Sequence, residues 1–113
     1  MEFTDKRPTF SSDVFVAEID GKKAVTLRSF YPRVAKNLLF PDYFGKNLDA
    51  LFDALCSLEV VGSNHIVLLI HHVDTFLSKE KPEKRDAAFE VLRGAEKSEN
   101  RSDGVVFRVV GVH

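Results

Sequence analysis

The sequence predicts an α/β fold in which helices pack on a small parallel sheet of three strands. One observation is the uninterrupted apolar run Ile66 to Ile70, which suits a strand buried on both faces. Another is that segments with helical periodicity separate this run from a strand on each side, an order that implies right-handed crossovers. With 113 residues and 44% hydrophobic content, the chain is long enough for one packed core.

The first strand is predicted at Val14 to Ile19, where apolar residues alternate and Asp20-Gly21 supplies a turn. Residues 1–12 mix charges, Pro8 and serines without periodicity. We therefore divide the chain into an N-terminal extension, 1–12, and a single domain, 13–113.

The first helix is predicted to begin at Ser29 as N-cap and to end before Phe40-Pro41, because the residue before a proline avoids the α region. In the loop that follows, Gly45 comes after two adjacent aromatic residues, Tyr43 and Phe44. This order suggests a turn that presents at least one ring to solvent, although both rings could equally cover the core.

Asn47 is a favourable N-cap for the second helix. Apolar residues then recur at helical spacing, whereas the acidic residues share another face. The apolar set is Leu48, Leu51, Phe52 and Leu55; the other face carries Asp49, Asp53 and Cys56.

A third helix is predicted from Lys84 to Lys97, with its apolar face at Ala88, Val91, Leu92 and Ala95. The turn Asp103-Gly104 leads into a last strand, Val105 to Val110. The run Ile66 to Ile70 is expected at the centre of the sheet.

Composition excludes several classes of function. The single cysteine, Cys56, excludes an internal disulfide, and the N-terminus does not read as a secretory signal. The longest uncharged run, Val60 to Val73, contains three histidines and is too short and polar to span a bilayer. No basic stripe with interleaved aromatic residues indicates direct nucleic-acid binding. We expect a soluble, cytoplasmic monomer.

Acidic residues concentrate in the middle of the chain. Between Asn37 and Leu77 one basic residue, Lys46, stands against five acidic residues, a balance of −4. Asp49 is explained by the helix N-terminus, which favours a carboxylate. Asp53 lies one turn further on, where a like charge at this spacing weakens the helix by a few tenths of a kcal/mol. The pair reads either as an ordinary solvated face or as an acidic patch beside the aromatic residues Tyr43 and Phe52, a composition typical of protein interfaces.

Catalysis finds little support in the sequence. His71 and His72 are neighbours on a strand end, so their side chains point to opposite faces and would not chelate one metal. His72 and Asp74 could share a face, but two ligands without a third do not define a metal site. Cys56 has no neighbouring base, and no glycine-rich phosphate loop occurs. The sequence therefore predicts a protein that is not an enzyme and that uses no metal or cofactor.

The segment PDYFGKNLDALFDAL, residues 41–55, resembles the signature of the barstar family, P-[ED]-Y-[YF]-G-x-N-L-D-A-L-[WF]-D. The match is nearly complete over a long, specific pattern, and the order of elements agrees from about Val14 to Val110. The family's fold is a small three-stranded parallel sheet with helices packed on it.

The resemblance implies an intracellular inhibitor of a guanyl-type, barnase-like ribonuclease, either an extracellular-type enzyme or a toxin. The second helix and its preceding loop would block the cationic active site of the nuclease. Asp53 would occupy the phosphate site, Asp49 would add an acidic contact, and Tyr43 would pack on the catalytic histidine. The implied partner-binding set is Tyr43, Gly45, Asn47, Asp49, Phe52 and Asp53.

Three positions depart from the family pattern. Phe52 stands where the family often has tryptophan, and Leu58 where a second aromatic residue is common. Gly94 aligns with a supporting glutamate, for which Glu90 and Glu96 are candidate substitutes. The alternative to the inhibitor is a barstar-fold binding module with a partner that is not a nuclease, since a fold does not determine function.

Overall fold

The computed structural model describes residues 1–113 and contains three α-helices and four strands. The helices are short to medium in length, and the strands have three to seven residues. In chain order the elements are β1 (Glu2–Thr4), β2 (Phe15–Asp20), α1 (Leu27–Asn37), α2 (Leu48–Leu55), β3 (His65–His71), α3 (Pro82–Glu96) and β4 (Val106–Val112).

The strands form one parallel sheet with the order β1-β4-β3-β2. Strand β3 pairs with β2 on one side, where Leu68 lies opposite Ala17, and with β4 on the other, where Leu68 lies opposite Val109. The predicted α/β class, the parallel sheet and the inner position of Ile66 to Ile70 are therefore confirmed.

The two faces of the sheet bury different sets of side chains, as the alternation along a strand requires. On the helix face, Ile66, Leu68 and Ile70 join the main core with residues of all three helices. On the opposite face, Val67 and Leu69 pack with residues of β4 and with Phe10, which precedes β2. Both faces are covered, which is why the central strand can be continuously apolar.

The predicted strand count was wrong, because the sheet has four strands and not three. The additional strand, Glu2–Thr4, comes from the predicted extension and pairs with Val110 to Val112 at the edge of the sheet. Three residues are too few to show an alternating pattern. Their pairing partner lies at the other end of the chain, so local sequence carries no signal for it.

The helix boundaries differ from the prediction at two N-termini. The N-cap of α1 is Thr26, whose hydroxyl accepts from the N–H of Ser29; Ser29 in turn accepts from the Thr26 N–H, and this completes a capping box. Helix α3 begins at Pro82, a position where a proline costs no hydrogen bond. The N-cap of α2 is Asn47, as predicted.

Candidate functional site

Helix α2 presents two aspartates on a ridge that faces solvent. Asn47 fixes the start of the helix, since its Oδ1 accepts from the N–H of Ala50 at 2.8 Å. Leu51 and Leu55 are completely buried beneath the helix. Burial of this face leaves Asp49 and Asp53, one turn apart, exposed on the other side.

Neither aspartate is neutralised by the protein. All seven ion pairs within 4.0 Å lie elsewhere in the molecule. Two like charges at helical spacing repel each other by a few tenths of a kcal/mol. The carboxylates of Asp49 and Asp53 are thus both free to bind a cationic group from outside.

The loop before α2 separates its two aromatic rings. Phe44 packs edge-on against Tyr31, with ring centroids 5.9 Å apart, and against Phe40, with centroids 5.0 Å apart. This packing fixes the loop to the core, and the neighbouring Tyr43 is left 89% exposed. Of the two rings, it is therefore Tyr43 that the loop presents to solvent.

Gly45 is exposed and its backbone does not have a positive φ. A Cβ at this position would lie 3.4 Å from Asn47 Nδ2 and 3.6 Å from Ala50 Cβ, which are ordinary contacts. The turn therefore does not require glycine. Because glycine has no side chain, the backbone between Tyr43 and the start of α2 is left accessible.

Three of the six sequence-predicted residues, Tyr43, Gly45 and Asp53, line one cavity of about 570 Å³. This cavity, which we call the Asp53 groove, lies between the loop and one side of α2. Its remaining lining is mostly apolar: Leu38, Leu39, Phe40, Pro41, Phe44, Ala50, Ala54, Ser57, Glu59 and Val60.

Asn47 and Asp49 lie on the other side of the ridge, in a second cavity of about 510 Å³. One further acidic residue, Glu80, and three basic residues share that cavity with Asp49; the basic residues are Arg28, Lys46 and Lys84. The two aspartates are therefore in different electrostatic surroundings. Asp53 stands in an apolar groove without a basic residue, whereas Asp49 stands among cations that lie beyond ion-pair distance.

The structure does not place Phe52 in either cavity. The ring is half-buried between α2 and α3, where a Cβ added at Gly94 would come to 3.2 Å from Phe52 Cε1. Phe52 therefore belongs mainly to the packing of the two helices. The absence of a side chain at Gly94 makes room for it.

Glu96, the last residue of α3, has a structural role. Its Oε2 accepts from the N–H of Val109 at 2.8 Å, and its Oε1 binds the N-terminal ammonium of Met1. These bonds hold the carboxylate at the sheet, away from the exposed ridge of α2. Of the two candidate substitutes for a supporting glutamate, Glu90 is the one that remains exposed.

A buried ion pair that the sequence did not reveal supports the C-terminus of α2. Arg101 donates from Nη1 to the carbonyl oxygens of Leu55, the last residue of α2, at 2.7 Å and of Ala95 in α3 at 2.8 Å. Asp103 accepts from Arg101 Nη2 at 2.6 Å and from the N–H of Leu58 at 2.9 Å. A cation at helix C-termini is favourable, so this pair stabilises the ends of both helices and the turn after α2.

The groups that sequence reasoning weighed for catalysis have structural partners. His71 Nε2 lies 2.7 Å from Glu18 Oε1, and His72 Nδ1 lies 3.0 Å from Asp20 Oδ1. Asp74, considered beside His72, binds His113 instead. Burial raises the pKa of the Cys56 thiol, which disfavours the nucleophilic thiolate. No group of three or more His, Cys, Asp or Glu side chains is arranged to hold a metal ion.

The family model for Barstar (barnase inhibitor) matches residues 14–111. The chain belongs to the barstar family. Members of this family are inhibitors and not enzymes, and their function implies a ribonuclease as protein partner. The comparison with curated proteins found no match.

Both cavities and the whole signature segment, 41–55, lie within the range that the barstar family model matches. Strand β1 and Phe10 lie before residue 14, outside the match. At the departures noted above, Phe52 lies against Gly94, and Leu58 is completely buried. None of the helices combines the length and apolar character needed to cross a membrane.

Proposed function

We propose that this protein is an intracellular inhibitor of a guanyl-type, barnase-like ribonuclease and that it blocks the active site of the enzyme with α2 and the loop before it. The observation that carries the proposal is the position of Asp53. Its carboxylate is exposed, has no cationic partner within the protein, and lies in one groove with the exposed ring of Tyr43.

In this proposal Asp53 takes the place of an RNA phosphate. A ribonuclease holds phosphate with cationic side chains, which would find in Asp53 a negative charge already free of internal ion pairs. Charge complementarity of this kind accelerates encounter, and close desolvated pairs add affinity. Inhibition needs no catalytic step by the inhibitor and no cofactor.

The other site residues have secondary roles. Tyr43 offers an aromatic surface to the catalytic histidine, and open backbone at Gly45 allows close approach. Asp49 contributes a second negative charge, and Asn47 fixes the first turn of α2. Phe52 contributes at the edge of the interface, chiefly through its support of the helix.

The test is an inhibition assay with purified barnase and a set of other guanyl-type ribonucleases. We expect Asp53→Ala to weaken inhibition of the cognate enzyme by about 2–5 kcal/mol, which is about 30-fold or more. The matched control is Asp86→Ala, which removes an exposed aspartate from α3 and lines neither cavity. Inhibition by the wild type with unchanged potency of Asp53→Ala would refute the assignment of Asp53.

The cognate enzyme can be sought with two baits, the wild type and Asp53→Ala, in a pull-down from the source cells. A small basic ribonuclease retained by the wild type alone would support the proposal. A wild type that inhibits no ribonuclease of the set and retains none would instead favour a barstar-fold binding module with another partner.

A further inference from the structure

The Asp53 groove concentrates the exposed apolar side chains of the molecule. Five large hydrophobic residues are exposed in the whole chain, and three of them line this groove: Leu39 at 51%, Tyr43 at 89% and Val60 at 65%. They come from three separate segments: the end of α1, the loop, and the turn after α2. An apolar cluster of this kind beside polar groups is typical of a protein interface.

Leu39 occupies a backbone position that leucine disfavours. It follows the C-cap of α1 with φ of 59°, in the left-handed region where glycine or asparagine is usual. The next N–H, of Phe40, closes the helix end on the carbonyl of Ala35 at 2.9 Å. A bulky leucine here adds backbone strain and exposes apolar surface, so the structure of the free protein gives no reason for it.

The charges of the groove are of one sign. Only two of its lining residues are charged, Asp53 and Glu59. The carboxylate of Glu59 accepts from the Ser57 hydroxyl at 3.2 Å, and neither acid has a cationic partner. An occupant that matches this groove therefore combines an apolar or aromatic side chain with an adjacent positive charge.

We propose that the groove receives an apolar or aromatic side chain of the ribonuclease, next to one of its basic residues, and that Leu39 and Val60 select the partner enzyme. The inference rests on the proposed function and extends it. Phosphate-binding cations are common to ribonucleases, so Asp53 alone would discriminate poorly among them. Leu39 and Val60 would instead contact the surface around the active site, where enzymes with the same chemistry differ.

The experiment uses two variants that remove apolar surface without disturbing the fold. Leu39→Asn introduces a residue that tolerates positive φ, and Val60→Ser changes an exposed turn position. Val106→Ser is the matched control, because Val106 is 55% exposed but lies on β4 and lines neither of the two cavities beside α2. Thermal unfolding of each variant verifies that it is folded.

Inhibition is measured against the ribonuclease that the wild type inhibits most strongly and against a weaker target of the same class. We expect Leu39→Asn and Val60→Ser each to weaken inhibition of the stronger target by about tenfold, since each loses apolar surface that the complex would bury. The weaker target should be affected less, so the ratio of the two inhibition constants should fall. Val106→Ser should leave both unchanged.

The outcomes separate the two proposals. Loss of inhibition in Asp53→Ala with full inhibition by Leu39→Asn and Val60→Ser would overturn the groove inference and leave the proposed function standing. If Leu39→Asn and Val60→Ser weakened inhibition of both ribonucleases equally, Leu39 and Val60 would not select the partner enzyme. A wild type that sediments as a dimer, and that Val60→Ser converts to a monomer, would assign the groove to a second copy of the chain and overturn the inference. Failure of the wild type to inhibit any ribonuclease would overturn both.

Discussion

Arg101 and Asp103 form a bidentate ion pair whose side chains are almost completely buried, with 2% and 0% of their surfaces exposed. The last turns of α2 and α3 and the backbone of Leu58, in the turn after α2, meet around this pair. The guanidinium also lies 5.2 Å from the centroid of the Phe107 ring, on the sheet. A single buried pair thus joins the helix that carries Asp53 to the rest of the core.

Asp103→Ala should lower the free energy of unfolding by about 3–5 kcal/mol, because it leaves the Arg101 charge buried without its partner. Urea denaturation followed by circular dichroism measures the change. Asp86→Ala, on the surface of α3, should stay within about 0.5 kcal/mol of the wild type. A loss of less than 1 kcal/mol for Asp103→Ala would mean that water reaches the guanidinium.

The same pair predicts a pH dependence of stability. Burial alone would raise the pKa of Asp103, but hydrogen bonds from Arg101 and from the N–H groups of Leu58 and Val105 hold it below its usual value. A lowered pKa in the folded state stabilises the fold fully above the unfolded-state pKa of about 3.9, and this contribution is lost as the pH falls toward the folded-state pKa.

Stability should therefore fall as the pH is lowered from about 5 to about 3, and it should fall less in Asp103→Asn, which lacks the titrating group. Urea denaturation of both proteins at the two pH values tests this expectation. Glu18 and Asp20 also have lowered pKa values, through Arg7 and then His71 for Glu18 and through the Lys22 N–H and then His72 for Asp20. Glu18 and Asp20 affect the stability of the wild type and of Asp103→Asn equally, so the difference between the two pH profiles reports the titration of Asp103. Parallel pH profiles would refute the prediction.

Asp49 and Asp53 should differ in their effects on stability. Asp53→Ala removes repulsion within α2 and improves helix propensity, so it should stabilise the protein by a few tenths of a kcal/mol. Asp49→Ala also removes the repulsion and improves helix propensity, but it loses a carboxylate that is favourable in the first turn of the helix. Its net effect on stability should therefore be smaller or opposite in sign. Denaturation curves of both variants compare them directly. A larger gain for Asp49→Ala would contradict the electrostatic description of the ridge.

The same two substitutions should also differ in their effects on binding. Asp53 stands in a groove without basic residues, whereas Asp49 shares its cavity with Arg28, Lys46 and Lys84. Asp53→Ala should therefore weaken inhibition of the cognate ribonuclease more than Asp49→Ala does. Titration calorimetry of the two complexes decides between them, and equal losses would indicate that the partner contacts both sides of the ridge alike.

Gly94 and Phe52 should be energetically coupled. In a helix interior, alanine is favoured over glycine by about 1 kcal/mol. In the wild type a Cβ at Gly94 meets the Phe52 ring at 3.2 Å, so part of this gain should be lost to displacement of the ring. Gly94→Ala should consequently stabilise a Phe52→Ala background more than it stabilises the wild type. A double-mutant cycle measures the difference, and a coupling of zero would place the ring elsewhere.

Leu51→Ala should lower the free energy of unfolding by about 2–5 kcal/mol, because Leu51 is completely buried on the inner face of α2. Val60→Ala is the control: Val60 is exposed in the turn that follows the same helix, and its truncation should change stability by less than about 0.5 kcal/mol. Both values come from urea denaturation. Similar losses for the two variants would contradict the burial pattern of α2.

The sequence was sufficient where the deciding interactions are local. The apolar run Ile66 to Ile70 and the N-cap Asn47 each have a strong short-range pattern, and both are confirmed. At the start of α1 the pattern was ambiguous, since Thr26 and Ser29 are both cap residues and the capping box uses both. The outward orientation of Tyr43 depends on the packing of Phe44 against Tyr31, a contact between separate elements.

Neither the Asp53 groove nor the buried ion pair could be predicted from the sequence, and the reason is the same for both. Leu39 and Val60 come from different segments and share a cavity only after the loop has folded against α2. Arg101 and Asp103 look like ordinary charged residues of a turn until the ends of two helices are brought to them. Strand β1 was missed because its partner in the sheet is the last strand of the chain.

The position of β4 between β1 and β3 determines when this sheet can close during synthesis. Residues 2–4 are synthesised well before their partners, residues 110–112. Until Val106–Val112 has emerged, the edges of β1 and β3 have no strand between them, and pairings of such sequence separation form slowly. A nascent chain stopped before Val106 would therefore carry the complete signature segment without a closed sheet beneath it, and we expect such a product to be degraded by proteases before it can bind a partner.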